Sequence, residues 1–300
     1  MLNIVGRRKW YYLISLAVIL PGLFALVIWG LPLGPDFTGG TLLEVKFSKE
    51  VSRNEIIEVG KTKSIEFGET GIQTTATNTY LLRSNPLDDN QVNSLTTTFK
   101  EKDPNLSILR KETIGPTIGQ ELLRKSLLSL GIASLLIVLY IAYAFRSVPK
   151  PASSWRFGVC AIIAMLHDAL VLLGSFAILG HFLAVEIDAL FVTAVLTVIG
   201  FSVHDTIVVF DRIRENLNRT SYKSFEETVE HSIMQTIGRS INTSLTVVLV
   251  LFALLLFGGV SIRWFVAALL IGIISGTYSS IFNAAPLLVT WQNISQRRKK

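Results

Sequence analysis

The sequence predicts an α-helical polytopic membrane protein with six transmembrane helices and one α+β domain between the first and second. Three observations predict it. Half of the 300 residues are hydrophobic and only 17% are charged, against about a quarter charged in an ordinary soluble domain. The apolar residues are gathered into blocks long enough to cross a bilayer as helix, which takes about 20 residues. The 28 Lys and Arg collect in short stretches between those blocks, a placement that sets membrane topology. They do not form a phosphate-binding face, so no nucleic-acid partner is expected. The single cysteine, Cys160, sits inside an apolar block, which excludes an intramolecular disulfide and a cysteine-clustered metal site. No metal and no cofactor is expected.

Residues 1–10 carry Arg7, Arg8 and Lys9 and lead into the first span, 11–31. Its apolar stretch is longer than a signal peptide's and no A-x-A-like cleavage site follows, so a retained anchor is expected. The remaining spans are placed at 127–145, 157–179, 184–210, 241–257 and 264–290. Arg146, Lys150 and Arg156 lie between spans 2 and 3. Arg212, Arg214, Arg219 and Lys223 lie between spans 4 and 5, and RRKK closes a basic tail at 291–300. The connection GHFLAVEID has no Lys or Arg, and the turn after span 5 has only Arg263. The positive-inside rule then puts both termini in the cytoplasm.

Residues 32–124 form the extracytoplasmic domain, because a long loop translocates regardless of its charge. TLLEVKF alternates like a strand. SRNEIIEVGKTK opens with Ser52 and Glu55 at the capping-box spacing. GIQTTATNTYLLRS reads as one strand or a hairpin. DDNQVNSLTTTFKEK is a second helix and NLSILRKETIG a last strand. The order β-α-β-α-β is compatible with a ferredoxin-like sandwich. With no His and no Cys, this domain suits binding or force transmission rather than catalysis. Between spans 4 and 5, residues 211–238 form a cytoplasmic helical connector. Its Phe225, Val229, Ile233 and Ile237 share one helical face, which a membrane surface or a partner could cover; a solvated connector with no docking role is the expectation preferred.

Ionisable residues at membrane depth are costly and mark functional sites by default. Asp205 lies near the cytoplasmic end of span 4 and Asp168 nearer the middle of span 3, each preceded by a histidine, His204 and His167. Spans 4 and 5 are antiparallel, so Arg239 at the start of span 5 shares a depth with Asp205. Arg239, Asn242 or Thr243, and Thr246 follow three-to-four spacing, a polar stripe suited to a hydrated path facing the acid. Two readings fit: a carboxylate that exchanges an ion as a cation competes for it, or a static ion pair joining two helices. An intramembrane aspartyl protease lacks its G-x-G-D context. A metal site lacks H-E-x-x-H, and adjacent His and Asp do not face the same way on a helix.

Beyond these chemical features, GPDFTGG (34–40), IGPTIGQEL (114–122), HDALVLLG in span 3, DTIVVFDRIREN ending span 4, RSINTSLT opening span 5 and the FGG after it together resemble the SecF family of the bacterial Sec protein translocase. The resemblance covers essentially the whole chain. It implies an RND-like half that pairs with SecD as a separate polypeptide, associates with the SecYEG channel, and promotes late preprotein export in the bacterial inner membrane. The energy would come from the proton-motive force or a sodium gradient, without enzymatic catalysis. It assigns ion transfer to Asp205 and Arg239, with a further carboxylate from SecD. Translocating preprotein would meet the extracytoplasmic domain, and membrane lipid the spans. His204 departs from many relatives and has no assigned role. Gly34, Asp36, Gly39 and Gly40 after span 1, and Gly115, Pro116 and Gly119 before span 2, are expected to supply turn and positive-φ geometries as a hinge; two immobile turns fit them equally. An RND-like exporter of lipids or small molecules and a passive scaffolding subunit are the alternative functions.

Overall fold

The structure, a computed structural model, describes residues 3–65, 67–149, 152–219 and 224–297. Lys150, Lys223 and the tail beyond Arg297 lie outside them. Two compact units divide the chain. One draws on Met1–Leu31, Ser129–Val185 and Leu190–Lys300, the other on Pro32–Leu128 and Glu186–Ala189.

Six helical segments are long and apolar enough to span a membrane. They are α1 (Arg8–Ile28), α5 (Pro116–Ala144), α6 (Ser154–Leu183), α7 (Ala189–Arg219), α8 (Phe225–Phe257) and a last rod. That rod runs from α9 (Arg263–Ser279) through a π-helical turn (Ser280–Ala284) into α10 (Ala285–Arg297). Half of the apolar window of α7 is buried but only 6% of that of α5. The helices therefore form a centre of α6, α7 and the last rod, with α5 on the outside. Phe145, just past α5, packs with Phe157 near the start of α6 and Phe210 of α7, with ring centroids 5.0–5.6 Å apart. Between α1 and α6 the backbones touch. A Cβ on Gly22 would meet Gly174 Cα at 2.9 Å, and one on Gly174 would meet Gly22 Cα at 2.6 Å. Small residues permit such close approach where lipid supplies no hydrophobic drive between helices.

Three of the helix limits correct the sequence reading. Span 4 begins at Ala189 and not at 184, because Ala184 adopts a left-handed conformation (φ 52°) and caps α6. Span 5 is the end of a continuous helix that starts at Phe225. The region between spans 4 and 5 is thus the extension of α7 to Arg219 and the first turns of α8, with residues 220–223 outside the description. Its apolar face meets neither lipid nor a partner at Val229 and Ile233, both fully buried in the helical unit. Their neighbour Glu230 accepts the backbone N–H groups of Ile4 and Val5 at 2.9 and 2.7 Å.

The second unit has a short helix α2 (Pro35–Thr38) followed by β1 (Gly40–Lys46), α3 (Arg53–Thr62), β2 (Phe67–Ala76), β3 (Thr79–Ser84), α4 (Asp89–Lys102) and β4 (Ser107–Ile114). All sheet neighbours are antiparallel in the order β2-β3-β1-β4. The stretch left open as strand or hairpin is a hairpin. Asn78 turns it with φ 56°, a conformation asparagine tolerates better than most residues. Ser52 and Glu55 close the expected capping box, and Asp88 and Gln91 close a second one on α4. The core joins Leu43, Val45 and Leu82 from the sheet to Ile56, Leu95 and Phe99 from the helices.

Candidate functional site

Among the described residues, two buried carboxylates lie inside the helical unit, and hydroxyl groups surround both. Asp205 is 7% exposed. It accepts the Ser240 hydroxyl from α8 at 2.7 Å and the Ser280 hydroxyl from the π-helical turn at 2.5 Å. The geometry of α8 selects Ser240. Val229, Ile233, Thr236, Ser240 and Ser244 recur at three-to-four spacing and form its buried face. Arg239 precedes Ser240 by about 100° of helix rotation and is exposed. Among the described residues Arg239 forms no ion pair with Asp205.

The polar stripe expected to face the acid turns outward with that arginine. Asn242, Thr243 and Thr246 are exposed, and the two threonines return their hydroxyls to their own helix backbone. His204 is exposed as well. The depth argument put the right helices level, but one residue of rotation decided which side chain reached the carboxylate.

Asp168 is fully buried and more richly contacted. Its Oδ2 accepts Ser202 of α7 at 2.5 Å and Ser279 of α9 at 2.6 Å; its Oδ1 accepts Ser275 of α9 at 2.6 Å. His167 Nδ1 lies 2.9 Å from the same Oδ1. Adjacent residues on a straight helix point apart, yet this imidazole folds back to its neighbour's carboxylate. His167 Nε2 lies 3.1 Å from Ser15 Oγ of α1, which also accepts Asn283 Nδ2 at 2.7 Å. Sequence reading found Asp168 and His167 but none of their hydroxyl partners. A signal was present in SGTYSSIFNA: Ser275 and Ser279 are four apart, so their hydroxyls share a face.

A hydroxyl shell suits a group that changes protonation. Ser Oγ–H donates to a carboxylate, and its lone pairs accept from a carboxylic acid after the rotor turns. Either state of Asp205 can therefore be satisfied without moving the backbone. No group of three or more His, Cys, Asp and Glu is placed for a metal ion among the described residues.

In the other unit, the glycine motifs do not all follow the positive-φ expectation. Gly39 (φ 76°) and Gly40 (φ 154°) do; Gly34, Gly115 and Gly119 do not. The motifs instead pack backbone to backbone. A Cβ on Gly39 would meet Pro116 Cα at 2.8 Å, and one on Gly119 would meet Gly39 N at 2.8 Å. Asp36 Oδ2 accepts the N–H of Ala189 at 2.9 Å, a carboxylate at the first residue of a helix. Arg83 and Glu186 form an ion pair at 2.8 Å with each side chain 19% exposed. Burial raises the Glu186 carboxyl above its ordinary range, while Arg83 pulls it down.

The family model described as "Protein export membrane protein SecD/SecF, C-terminal" matches residues 94–294, and the "SecD/SecF GG Motif" matches residues 24–51. The chain is 49% identical to the protein translocase subunit SecF of Thermobaculum terrenum, covering 98% of this chain and 95% of that protein. It is 45% identical to the corresponding SecF of Anaerolinea thermophila, covering 98% and 95%. The crystal structure of SecDF from Thermus thermophilus, a translocon-associated membrane protein, superposes with a TM-score of 0.85 at 32% identity. That match takes in 97% of this chain and 38% of the SecDF chain.

Proposed function

The chain belongs to the SecD/SecF family of protein export membrane proteins, and from that premise we propose that it is the SecF-type auxiliary subunit of a Sec translocase. With a SecD-type partner it draws on the proton-motive force, or a sodium gradient, to promote late steps of preprotein export through the SecYEG channel. The Thermus thermophilus relative carries SecD and SecF in one chain, which supports the pairing. The subunit is non-catalytic. It lies in the bacterial inner membrane with both termini cytoplasmic, as the basic residues between spans favour. Residues 32–124 form the ferredoxin-like extracytoplasmic domain that meets the preprotein. The β-α-β-β-α-β order supports that description.

The observation that carries the ion-coupled reading is the buried Asp205 in a shell of hydroxyls that serves both its protonation states. The exposed face of Arg239, Asn242, Thr243 and Thr246 is where the SecD-type partner completes the site and brings its own carboxylate. One charge crossing 100 mV releases about 2.3 kcal/mol, enough to bias a conformational equilibrium by more than tenfold. The paired glycine motifs act as the joint through which that bias moves the outer domain.

The test uses vesicles holding SecYEG, the SecD-type partner and this chain, with a preprotein stalled late in transit. Asp205→Asn is expected to keep partner association and lose export stimulation by the imposed gradient. Full stimulation by the variant overturns the ion-transfer role. Collapsing the proton and sodium gradients separately identifies the ion.

A further inference from the structure

We propose that Asp168 and His167 form a second proton-carrying site in the membrane unit, linked to Asp205 through Ser279 and Ser280. The inference deepens the ion-coupled reading above and rests on it. The first observation is the hydrogen-bond chain. Asn283 Nδ2–H donates to Ser15 Oγ, Ser15 Oγ meets His167 Nε2 at 3.1 Å, and His167 Nδ1 meets Asp168 Oδ1 at 2.9 Å; the transfer starts from the tautomer with its hydrogen on Nδ1. This continuous chain ends on a fully buried carboxylate.

The second observation is a cleft of about 190 Å³ lined by Tyr12, Ser15, His167, Asn283 and apolar side chains. A water takes up roughly 30 Å³ and needs two to four polar partners, which in this mostly apolar cleft only the end by Tyr12, Ser15, His167 and Asn283 can supply. Asn283 Oδ1 is buried with no hydrogen-bond partner among the described residues, an unsatisfied acceptor on the residue that holds Ser15. Ser15 is seven residues along α1 from Arg8, about 10 Å at 1.5 Å per residue, so the cleft lies near the basic end of the helix.

The third observation is the turn that joins the two acids. Ser279 donates to Asp168, and the next residue, Ser280, donates to Asp205. They straddle the start of the π-helical turn that also carries Asn283. Such turns recur at functional sites.

The transfer balances. A hydronium ion reaching Ser15 gives one proton to its Oγ, Ser15 passes its own hydrogen to His167 Nε2, and the Nδ1–H moves to Asp168 Oδ1. The products are water, a neutral carboxyl and the other neutral imidazole tautomer. A neutral Asp168 holds Ser279 less firmly, and the shared turn transmits that change to Ser280 and Asp205. Among the described residues, the other titratable groups facing the pair are Tyr12 on the cleft wall and Tyr278 of α9, stacked on the imidazole with centroids 6.4 Å apart. From α7 the pair meets Ser202.

Infrared difference titration of the purified full chain in lipid nanodiscs reads carboxyl protonation directly. The expected result is a protonated-carboxyl band that survives Asp205→Asn, disappears in Asp168→Asn and titrates with pH. His167→Gln keeps the carboxyl and is expected to alter the band; it is the decisive variant if Asp168→Asn does not fold. A titrating band that neither variant alters, or no band at any pH at which the chain stays folded, overturns the proposal. Because the readout needs neither partner nor export, it separates this site from the export reading. Loss of stimulation in Asp205→Asn vesicles with no Asp168 band removes this proposal alone.

Discussion

Ser240 donates to Asp205 at 2.7 Å, while Arg239, one residue earlier on the same helix, lies on the exposed face. Hydroxyls rather than a guanidinium hold the acid in place in this state of the chain. Removing one of them leaves a buried carboxylate short of a donor. Ser240→Ala or Ser280→Ala is expected to cost about 1–3 kcal/mol, read as chemical unfolding of the full chain in detergent. On an Asp205→Asn background the same substitutions are expected to cost measurably less, because the cycle removes the shared interaction.

Arg239→Ala touches nothing buried. Its effect on the stability of the isolated chain is expected to stay within about 0.5 kcal/mol, while gradient-driven export in vesicles with the SecD-type partner is lost. A destabilised isolated chain would place the arginine in a packing role instead.

The contact of α1 with α6 has no space for a methyl group. Gly22→Ala or Gly174→Ala forces the two backbones apart, and overpacking of that kind costs about 1–3 kcal/mol. A lowered unfolding midpoint checks it. Gly131→Ala, whose added Cβ would meet nothing within 4 Å, is the control without overpacking, expected to leave the midpoint unchanged or slightly raised.

Arg83→Met removes the partner that opposes the burial of Glu186. An acid whose folded pKa is raised contributes stability that is full below its ordinary value and lost as pH rises through the raised one. The variant raises that folded value further. Its unit is therefore expected to become increasingly susceptible to limited proteolysis, relative to wild type, as pH rises from the ordinary carboxyl range towards neutrality.

Asp103 has the opposite sign. It accepts the Ser48 backbone N–H at 2.6 Å and the Ser48 hydroxyl at 2.7 Å, and these bonds hold its carboxyl below the usual range. Its contribution is present above the ordinary carboxyl value and is lost as pH falls through the lowered one. Asp103→Asn is expected to flatten the acid limb of the same proteolysis profile.

Much of the fold was legible because it is written in composition along the chain. Blocks of apolar residues near Leu13, Leu136 and Leu249 read as spans whatever they pack against, since lipid requires every spanning backbone to satisfy itself as helix. The capping pair Ser52 and Glu55 was legible for a similar reason: it is local. The limits of span 4 were harder. Ala184 breaks the helix by adopting a left-handed conformation, and nothing in AVEID announces it. The hairpin at Asn78 was legible only as an alternative.

The sequence by itself determined the number of spans, the inserted domain, the family motifs and the two acids that do not belong in a bilayer. Each depends on residues close together in the chain or on the cost of burying charge. Only the tertiary structure decided which side chains reach those acids. That choice turns on 100° steps of helix rotation and on a π-helical turn that sends neighbouring serines to different carboxylates. Rotation is set by packing among helices distant in sequence, which is why Ser240, Ser279 and Ser280, and not the arginine, are found at the acids.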